Sequence, residues 1–390
     1  MKSIVVSIIA IAVVFALVPV NVEANEGGRK IVVFQAGLNE TAKDEIVSRA
    51  GGAKLKNLDL IGARVIWLPS RAAVEKLKAQ PGVLRVDDDV EVFALAPKGD
   101  AKGGPAQAQV LPWGIDRVDA ELVWPSGNTA NPIKVGIVDT GISKDHPDLR
   151  ANIKGGVNTI RPGKSWNDDN GHGSHVAGTV GALNNTVGVV GVGPAVDLYA
   201  IKVLNAGGSG YLSDVIEGIE WGVTNNIKVL NMSLGTSSNI QSFHDAITAA
   251  YNAGVVLVAA AGNSGGSVIF PAAYSEVIAV SATDASNALA GFSSRGPEVD
   301  LSAPGVSVYS THKRSGYATL SGTSMAAPHV AGAAALVLNT AVGTYDTDGD
   351  GAWDPAEVQA KLQTTATDLG DAGFDNLFGW GLVNAFSAVQ

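Results

Sequence analysis

The spacing of apolar residues divides the chain into regions of different kinds. From Gln109 onward, near-continuous apolar runs of strand length alternate with stretches of helical periodicity. These runs cover Ile133–Asp139, Val196–Leu204, Ile227–Leu234, Val255–Gly262 and Val277–Thr283. Because a strand covered on both faces needs apolar residues on both, the runs predict a mainly parallel sheet between two layers of helices. The fold class predicted for residues 109–390 is therefore a three-layer α/β/α domain.

The stretches between the runs predict the covering helices, over His175–Leu183, Leu212–Thr224 and Ile240–Ala253. In open α/β sheets, functional sites lie beyond the carboxyl ends of the strands. No Gly-x-Gly-x-x-Gly follows a predicted strand, so the pattern does not favour a dinucleotide site.

Residues 25–95 have a different pattern and predict a separate small α+β unit of ferredoxin-like type. Strands are predicted at Lys30–Phe34 and Ala63–Leu68, with a last strand region at Val83–Leu95. Helices are predicted at Asn39–Ala50 and Arg71–Gln80, which end at Gly51-Gly52 and Pro81-Gly82. Residues 96–108 are rich in Gly, Pro and Ala and predict a linker or an N-terminal extension of the larger domain.

The first residues are typical of an export signal. Met1-Lys2 supplies a positive start, Ile4–Val18 is an apolar run, and Ala24 ends a stretch suited to signal peptidase. The alternative is a membrane anchor, for which this run is short. The sequence therefore predicts a signal peptide over residues 1–24 and a secreted, extracellular protein.

Composition excludes several classes of function. The net charge is -10, so a basic surface that follows phosphates is not expected and no nucleic-acid partner is predicted. The chain contains no cysteine, which excludes disulfides, thiolate catalysis and cysteine-bound zinc.

Three segments carry side chains suited to catalysis. Asp139 follows a buried strand, His172 lies between two glycines, and Ser324 precedes an apolar helical run. Each has a simpler alternative. Asp139 would only cap a turn, His172 would bind a metal with His175 as an H-x-x-H pair, and Ser324 would only be a helix N-cap. The histidine pair lacks the i,i+4 spacing and adjacent glutamate of helical zinc sites. A helix start also offers free N–H groups that stabilise an oxyanion.

Together the segments resemble the subtilisin-like serine proteases, or subtilases. Asp-Thr-Gly, His-Gly-Ser-His-Val-Ala-Gly-Thr and Gly-Thr-Ser-Met-Ala-Ala-Pro-His-Val-Ala-Gly occur in that family's chain order. The resemblance extends from about Lys30 to the C-terminus. It implies an endopeptidase in which Ser324 is the nucleophile, His172 the general base and Asp139 its orienting acid. It also implies that Asn263 donates its side-chain amide to the oxyanion.

The resemblance further implies the substrate contacts. Two edge segments would bind the substrate as an added strand, and a third would line the pocket for the residue before the cut. The implied residues are Gly208, Ser209 and Gly210; Ser233, Leu234 and Gly235; and Ala260, Ala261 and Gly262. Main-chain pairing predicts broad specificity. Ile269 stands where relatives often have a small residue, so we expect a shortened pocket that disfavours large aromatic residues.

Residues 25–95 correspond to the family's propeptide, an inhibitor and intramolecular chaperone. The resemblance implies self-cleavage at Leu95–Ala96, whereas a permanent accessory domain is the alternative. The predicted partners are protein and peptide substrates and the chain's own propeptide. No membrane partner is expected after removal of the signal, and the predicted state is a monomer.

Residues 346–357 match the calcium loop of EF-hand proteins. Acids stand at loop positions one, three, five, nine and twelve with Gly351 at position six, and position seven offers a backbone carbonyl. The implied ligands are Asp346, Asp348, Asp350, Ala352, Asp354 and Glu357. The alternative is a solvated acidic turn. We predict a structural Ca²⁺ here.

A second calcium site is implied only by the resemblance. Its side-chain ligands would be Gln109, Asp148 and Asn185, and its backbone ligands Leu183, Val187 and Val189. Glu298 and Asp300 match a weaker, more variable site.

Two other functions are compatible with parts of the pattern. A catalytically silent relative would bind peptides without cutting them, but the three candidate catalytic residues and Asn263 are all present. An esterase of another fold would have its serine in Gly-x-Ser-x-Gly after a strand, which is not the setting of Ser324.

Overall fold

The computed structural model describes residues 27–95, 104 and 107–390. The predicted signal peptide and most of the predicted linker lie outside the described residues. Within the described part of the chain, no helix is both long and apolar enough to cross a bilayer.

The N-terminal unit is a four-stranded antiparallel sheet with two helices, in the order βαββαβ. Its elements are β1 (Gly28–Phe34), α1 (Glu40–Arg49), β2 (Ala53–Leu58), β3 (Ala63–Leu68), α2 (Arg71–Lys78) and β4 (Val83–Asp88). The strands are arranged β2-β3-β1-β4. The apolar pattern misses β2, because it lies at the sheet edge and its first three residues are exposed. The predicted last strand region is two strands, β4 and β5 (Glu91–Ala94), which belong to different sheets.

The larger region contains the remaining elements. Its strands are β6 (Lys134–Asp139), β7 (Ile153–Asn158), β8 (Asp197–Lys202), β9 (Ser209–Tyr211), β10 (Val229–Met232), β11 (Leu234–Gly235), β12 (Val256–Ala260), β13 (Val277–Thr283), β14 (Leu301–Pro304), β15 (Val308–Thr311) and β16 (Tyr317–Leu320). Its helices are α3 (Trp113–Arg117), α4 (His172–Gly181), α5 (Leu212–Thr224), α6 (Gln241–Asn252), α7 (Thr323–Leu338), α8 (Pro355–Thr364) and α9 (Ala385–Ala388).

The central sheet has seven strands in the order β14-β13-β12-β10-β6-β8-β7, and every pairing in it is parallel. Helices α4 and α7 pack on one face, and α5 and α6 pack on the other. This arrangement confirms the predicted three-layer α/β/α class. The apolar pattern misses the two edge strands, since β7 contains two glycines and β14 is only four residues long.

Two boundaries differ from the prediction for physical reasons. The apolar run Ile227–Leu234 is split at Ser233, so that β10 stays in the central sheet and β11 joins a second, three-stranded sheet. Helix α4 begins at His172 rather than His175, because Gly171 takes a φ of 116° and turns the chain directly into the helix. The candidate histidine is therefore the first residue of a buried helix.

Asp300 precedes β14 and joins that strand to helix α8. Its carboxylate accepts hydrogen bonds from the Ala279 N–H at 2.8 Å and from the amides of Gln359 and Gln363, each at 2.9 Å. Burial raises the pKa of Asp300 to about 6, although these donors act in the opposite direction. A calcium ion at Asp300, as the sequence predicted for a weak site, would have to replace these protein donors.

Asp300 should give the free energy of unfolding a measurable pH dependence. Because its pKa is higher in the folded state than in the unfolded chain, its contribution to stability is present at pH 4 and is lost as the pH rises through 6. The comparison uses the unprocessed Ser324→Ala protein with and without Asp300→Asn. The free energy of unfolding of the protein that keeps Asp300 should fall by up to about 3 kcal/mol between pH 4 and 7, relative to that of the Asp300→Asn variant. Urea unfolding across that range measures the difference, and a pH-independent difference would contradict the assignment.

Candidate active site

Asp139 is the last residue of β6 and is fully buried. Its Oδ1 accepts the Thr140 N–H at 2.6 Å. The following Gly141 has a φ of 105°, and a Cβ there would lie 2.2 Å from the Trp166 carbonyl oxygen. The strand thus ends in a tight turn that holds the carboxylate at the carboxyl edge of the sheet, where the sequence predicted a functional site.

His172 opens helix α4 directly against this carboxylate. Its Nδ1 lies 2.9 Å from both carboxylate oxygens of Asp139. Gly173 makes the approach possible, since a Cβ there would lie 2.2 Å from the Gly141 carbonyl oxygen. A carboxylate accepts only, so Nδ1 carries a proton and Nε2 of the neutral ring is left as the base.

The electrostatics of the pair favour proton uptake by His172. Burial of the ring opposes its protonation, but the charge of Asp139 and the hydrogen bond to it outweigh burial, so the pKa of His172 is raised. Its Nε2 is buried and has no hydrogen-bond partner among the described residues. A ring in this state can take a proton from a group placed beside Nε2.

Ser324 is the second residue of α7 and is buried. Its Oγ lies 3.0 Å from the Ser233 carbonyl oxygen and 3.1 Å from the Leu95 carbonyl oxygen. The hydroxyl is therefore directed at two main-chain carbonyls, one in the larger region and one in the N-terminal unit, and among the described residues it makes no hydrogen bond to His172. The serine and its helix start lie where the sequence predicted them.

Asn263 contacts the same Leu95 carbonyl oxygen as Ser324. Its Nδ2 lies 3.4 Å from the Leu95 carbonyl oxygen, while its Oδ1 accepts from both the N–H and the hydroxyl of Thr323 at 2.9 Å. The two Thr323 donors fix the amide with its NH₂ group toward Leu95. A donor held in this way is suited to stabilise an oxyanion.

Three supporting residues were missed by the sequence reasoning. Thr323 orients Asn263, as described above. Asp168 accepts from Thr140, Ser174 and the backbone N–H groups of Asn170 and Gly171, which fixes the loop that leads into His172. Lys202 is buried and donates to the carbonyl oxygens of Thr140 and Leu204. The polar run before His172 was a signal for Asp168, whereas Lys202 lay in an apolar run and gave none.

Strand β5 lies between the two segments that were predicted to bind substrate. It pairs antiparallel with β9 on one side and with β11 on the other. Ala94 N–H donates to the Gly208 carbonyl at 2.8 Å, and Leu95 N–H donates to the Ser233 carbonyl at 3.3 Å. Ser209 and Gly210 pair with Phe93 and Val92, and Leu234 and Gly235 pair with Ala94 and Phe93. The three-stranded sheet thus holds the Leu95 carbonyl oxygen 3.1 Å from Ser324 Oγ.

Ile269 lies between two of the predicted pocket segments. Its N–H donates to the Ala261 carbonyl at 3.1 Å. Its side chain reaches within 3.4 Å of the position that a Cβ would take at Gly262, and within 2.6 Å of that position at Gly235. Ala260 and Ala261 are fully buried at the end of β12. The branched side chain therefore occupies space between the walls of the predicted pocket.

Three acids of the predicted EF-hand loop come together. Asp346, Asp348 and Asp350 each place a carboxylate oxygen within 4.8 Å of the other two. Asp354 caps α8 by accepting the Glu357 N–H at 2.8 Å, and Glu357 accepts the N–H groups of Asp354 and Thr347. Asp354 and Glu357 are thus bound to backbone N–H groups of the loop and of the helix start. Ala352 lies between Asp350 and Asp354 in the sequence.

The second predicted calcium set is also assembled from distant segments. Asn185 donates its backbone N–H to Gln109 Oε1 at 2.5 Å and its side-chain amide to Asp148 Oδ1 at 2.8 Å. The carbonyls of Thr186 and Gly188 accept hydrogen bonds from the segment that carries Gln109. The carbonyls of Leu183, Val187 and Val189 accept none from the described residues. Oxygen ligands are what Ca²⁺ prefers, but Gln109 Oε1, Asn185 Oδ1 and both carboxylate oxygens of Asp148 accept hydrogen bonds from protein donors here, so an ion at this place would have to replace those donors.

Comparison with known proteins gives the class of this site. Residues 130–381 match the model of the subtilase family, named Peptidase_S8. The chain is 45% identical over 318 residues to an alkaline protease of Shouchella clausii, which covers 81% of this chain and 77% of the relative. It is 48% identical over 284 residues to subtilisin Savinase of Lederbergia lenta, covering 73% of this chain and all of the relative. It is 38% identical to subtilisin E of Bacillus subtilis, covering 98% of this chain and 97% of the relative.

The chain belongs to the subtilase family. It is a subtilisin-like serine endopeptidase, and its substrates are proteins.

Asp139→Asn should separate the roles of charge and geometry in this site. The amide can donate to Nδ1 and stabilise the tautomer with a proton on Nε2, so kcat should fall about 10⁴-fold. Loss of the negative charge should also lower the pKa of His172, which moves the acid limb of kcat/KM to lower pH. A pH profile on a peptide substrate measures both, after maturation by a tagged helper enzyme that is then removed.

The matched control is Asp145→Asn, an exposed acid in the loop that follows Asp139. Its activity and profile should equal those of the parent enzyme. An Asp139→Asn enzyme that keeps its activity within tenfold would contradict the proposed tautomer.

Proposed function

We propose that this chain is a secreted, self-processing endopeptidase of broad specificity in which Ser324, His172, Asp139 and Asn263 carry the chemistry. The observation that carries the proposal is the position of Leu95. Its carbonyl oxygen lies between Ser324 Oγ and Asn263 Nδ2, at the end of a strand held on both edges. A bond that follows Leu95 is thereby presented to the nucleophile and to an oxyanion donor together.

The geometry supports acyl transfer in two steps. Ser324 Oγ attacks the carbonyl carbon while His172 Nε2 takes the hydroxyl proton, and Asp139 stabilises the imidazolium. The Asn263 amide and the Ser324 backbone N–H donate to the oxygen as it becomes negative, which contributes on the order of 3 kcal/mol per donor. His172 then gives the proton to the leaving amine. Water, activated by the same ring, releases the acyl group from Ser324.

The N-terminal unit acts in this proposal as an inhibitory propeptide over residues 25–95. Two of its acids bind helix starts of the catalytic region, where N–H groups lack partners within the helix. Asp89 accepts the Ser213 N–H at 2.8 Å at the start of α5, and Asp87 accepts the Ser242 N–H at 3.1 Å at the start of α6. Lys56 adds ion pairs to α5. These contacts support an N-terminal unit that docks on α5 and α6 while its strand β5 occupies the space between β9 and β11.

Two features determine substrate specificity in this proposal: main-chain pairing along the cleft, and the size of the pocket for the residue before the cut. Pairing with β9 and β11 uses main-chain groups, which any extended peptide offers. Val92 is fully buried, whereas Phe93 is about half exposed, so alternate side chains face protein and solvent. Ile269 restricts the pocket for the residue before the cut. Broad cleavage with a bias against large aromatic residues follows.

Export by the segment 1–24 and a monomeric state complete the proposal. The charged start and apolar run of that segment support export, and the family assignment supports action on extracellular proteins.

Calcium would be held by the EF-hand loop through Asp346, Asp348, Asp350, Ala352, Asp354 and Glu357. A second ion would be held by Gln109, Asp148 and Asn185 with the carbonyls of Leu183, Val187 and Val189. Bound calcium would supply positive charge that neutralises these oxygens and stabilises the folded loops.

Ser324→Ala should abolish both proteolysis and processing. Casein hydrolysis should fall below detection, and the variant should retain residues 25–95, because no acyl-enzyme forms. The parent protein should yield a new N-terminus at Ala96, read by N-terminal sequencing. Ser321→Ala, three residues away, is the control and should process normally. A processed Ser324→Ala protein, or a new terminus well away from Ala96, would refute the assignment.

Ile269→Gly should widen the pocket for the residue before the cut. We expect hydrolysis after Phe to rise about tenfold or more relative to hydrolysis after Ala, since small changes in pocket volume discriminate at this level. Peptides that differ only in Phe, Leu or Ala at this position measure the ratio. Ser267→Gly, an exposed neighbour, should leave it unchanged. A clear preference for Phe in the parent enzyme would contradict the restriction.

Chelation should lower thermal stability while leaving the initial turnover of surviving enzyme nearly unchanged. Mature enzyme inactivated with a serine-directed phosphonate should melt at least about 5 °C lower in excess EGTA, because ion binding stabilises the folded state only. Asp348→Asn should remove part of this effect. Asp371→Asn, an exposed acid outside the loop, should not. An unchanged melting temperature in EGTA would refute structural calcium.

A further inference from the structure

Lys202 is a buried charged residue at the end of the apolar strand β8, and its side chain is only 6% exposed. Moving an ammonium group out of water is unfavourable unless other acceptors replace the water. An ammonium group has three N–H donors, and here Nζ has three acceptors. It lies 2.6 Å from the Thr140 carbonyl oxygen, 3.0 Å from the Leu204 carbonyl oxygen and 2.8 Å from Asp169 Oδ1. One cation therefore joins three segments of the chain.

The first of these segments is the turn after Asp139. Thr140 donates its N–H to Asp139 Oδ1 at 2.6 Å, and its hydroxyl oxygen accepts the Gly173 N–H at 2.9 Å. Its carbonyl oxygen accepts from Lys202. Thr140 thus contacts both the carboxylate of Asp139 and the helix that carries His172, and Lys202 binds the carbonyl group of the same residue.

The second segment is the loop that leads into His172. Asp169 accepts from Lys202, and the next residue, Asn170, accepts the His172 N–H through its Oδ1 at 3.1 Å. Asn170 also donates its Nδ2 to the Ala206 carbonyl at 2.9 Å. The side chain of Asp169 is more than half exposed, so its ion pair contributes little to stability by itself. Its contact with Lys202 instead fixes the residue beside Asn170, at the start of α4.

The third segment connects β8 to the edge strand β9. Lys202 is the register partner of Asp139 in the parallel pair of β6 and β8. The N–H groups of Val203 and Leu204 donate to the Asp139 carbonyl oxygen, at 2.9 and 3.1 Å. The Leu204 carbonyl oxygen in turn accepts from the Lys202 side chain. Lys202 is therefore connected to the end of β6 through both its backbone neighbours and its side chain.

We propose that Lys202 is a positioning residue for the Asp139–His172 pair. Among the described residues, its side chain makes no hydrogen bond to either member, so it acts on them through Thr140 and Asp169. Its ammonium group holds the turn after Asp139 and the loop before His172 in one arrangement, which keeps Nδ1 and the carboxylate in contact during proton transfer. This inference rests on the proposed catalytic roles of Asp139 and His172.

An open cavity leads to this ammonium group. Its volume is about 670 Å³, and its wall includes Lys202 and Asp169 together with Arg161 and Lys164. A small cation can therefore enter the space that a shortened Lys202 side chain would leave. Arg161 and Lys164 oppose the entry of a further cation, so we expect that a high concentration of it is needed.

The test uses Lys202→Ala, matured by the tagged helper enzyme and assayed on a peptide substrate. Because a small displacement of catalytic groups is costly, kcat should fall about 10- to 100-fold. KM should change less than about threefold, since the substrate pairs with main-chain groups of β9 and β11. The cation n-propylammonium replaces the ammonium group and the three carbons that the variant lacks, and it should restore kcat with saturation. The uncharged n-propanol should not.

The matched control is Lys154→Ala, which removes an exposed lysine paired with Asp197 at the start of the same strand. It should keep the parent kcat and show no response to n-propylammonium. Circular dichroism verifies that both variants are folded.

Three results would overturn the inference. An unchanged kcat in Lys202→Ala would show that the pair needs no help from Lys202. A loss confined to KM would show that Lys202 serves the cleft edge through Leu204. A lowered kcat that n-propylammonium does not restore in the folded variant would show that the ammonium group is not what matters. Activity that survives in Ser324→Ala would instead refute the proposed function.

Asp169 provides a second measurement in a variant that keeps Lys202 and its two carbonyl acceptors. Asp169→Ala should lower kcat about threefold at unchanged KM, whereas Asp169→Asn, which keeps Oδ1 as an acceptor, should retain most of the activity. Added to Lys202→Ala, Asp169→Ala should cause no further loss, because both remove one contact. Parent kcat in Asp169→Ala, or losses that add in the double variant, would contradict the proposal.

Discussion

The bond between His172 Nδ1 and the buried carboxylate of Asp139 is the constraint on which the rest of the site depends. It requires a strand end and a helix start to meet within 2.9 Å at the carboxyl edge of the parallel sheet. Only residues without bulk allow this approach, which explains Gly141 and Gly173. Burial of the pair removes competing water, so the charge of Asp139 acts on the ring at close range. The result is a neutral ring with Nε2 as its base and a raised pKa.

The other residues proposed to act in catalysis lie near the same sheet edge. Helix α7 brings Ser324 over β10, β12 and β13, and β12 leads directly into Asn263. Thr323 couples the two, because it precedes Ser324 and fixes the Asn263 amide. Strand β5 of the N-terminal unit lies between β9 and β11 and pairs antiparallel with both. In the proposed function, substrate binding and inhibition therefore use the same main-chain groups of β9 and β11.

Much of this architecture was predictable, and the exceptions have physical causes. Buried strands such as β13 are apolar on both faces and were found from their pattern, whereas the edge strands β2, β7 and β14 lack that pattern. Asp139, His172 and Ser324 stand in motifs, so their positions followed from the sequence. Lys202 and Thr323 act through backbone and amide contacts that only the folded chain brings together. The burial of Asp300 against Gln359 and Gln363 depends on the docking of α8, which no local pattern predicts.

The central claim is that a single activated serine, Ser324, performs the chemistry. The most direct measurement is peptide mapping by mass spectrometry after reaction of the mature enzyme with a serine-directed phosphonate. The account predicts one adduct, on Ser324, formed in step with loss of activity, and no adduct in the Ser324→Ala protein. Loss of activity with the adduct on another residue, or full activity with Ser324 modified, would contradict it.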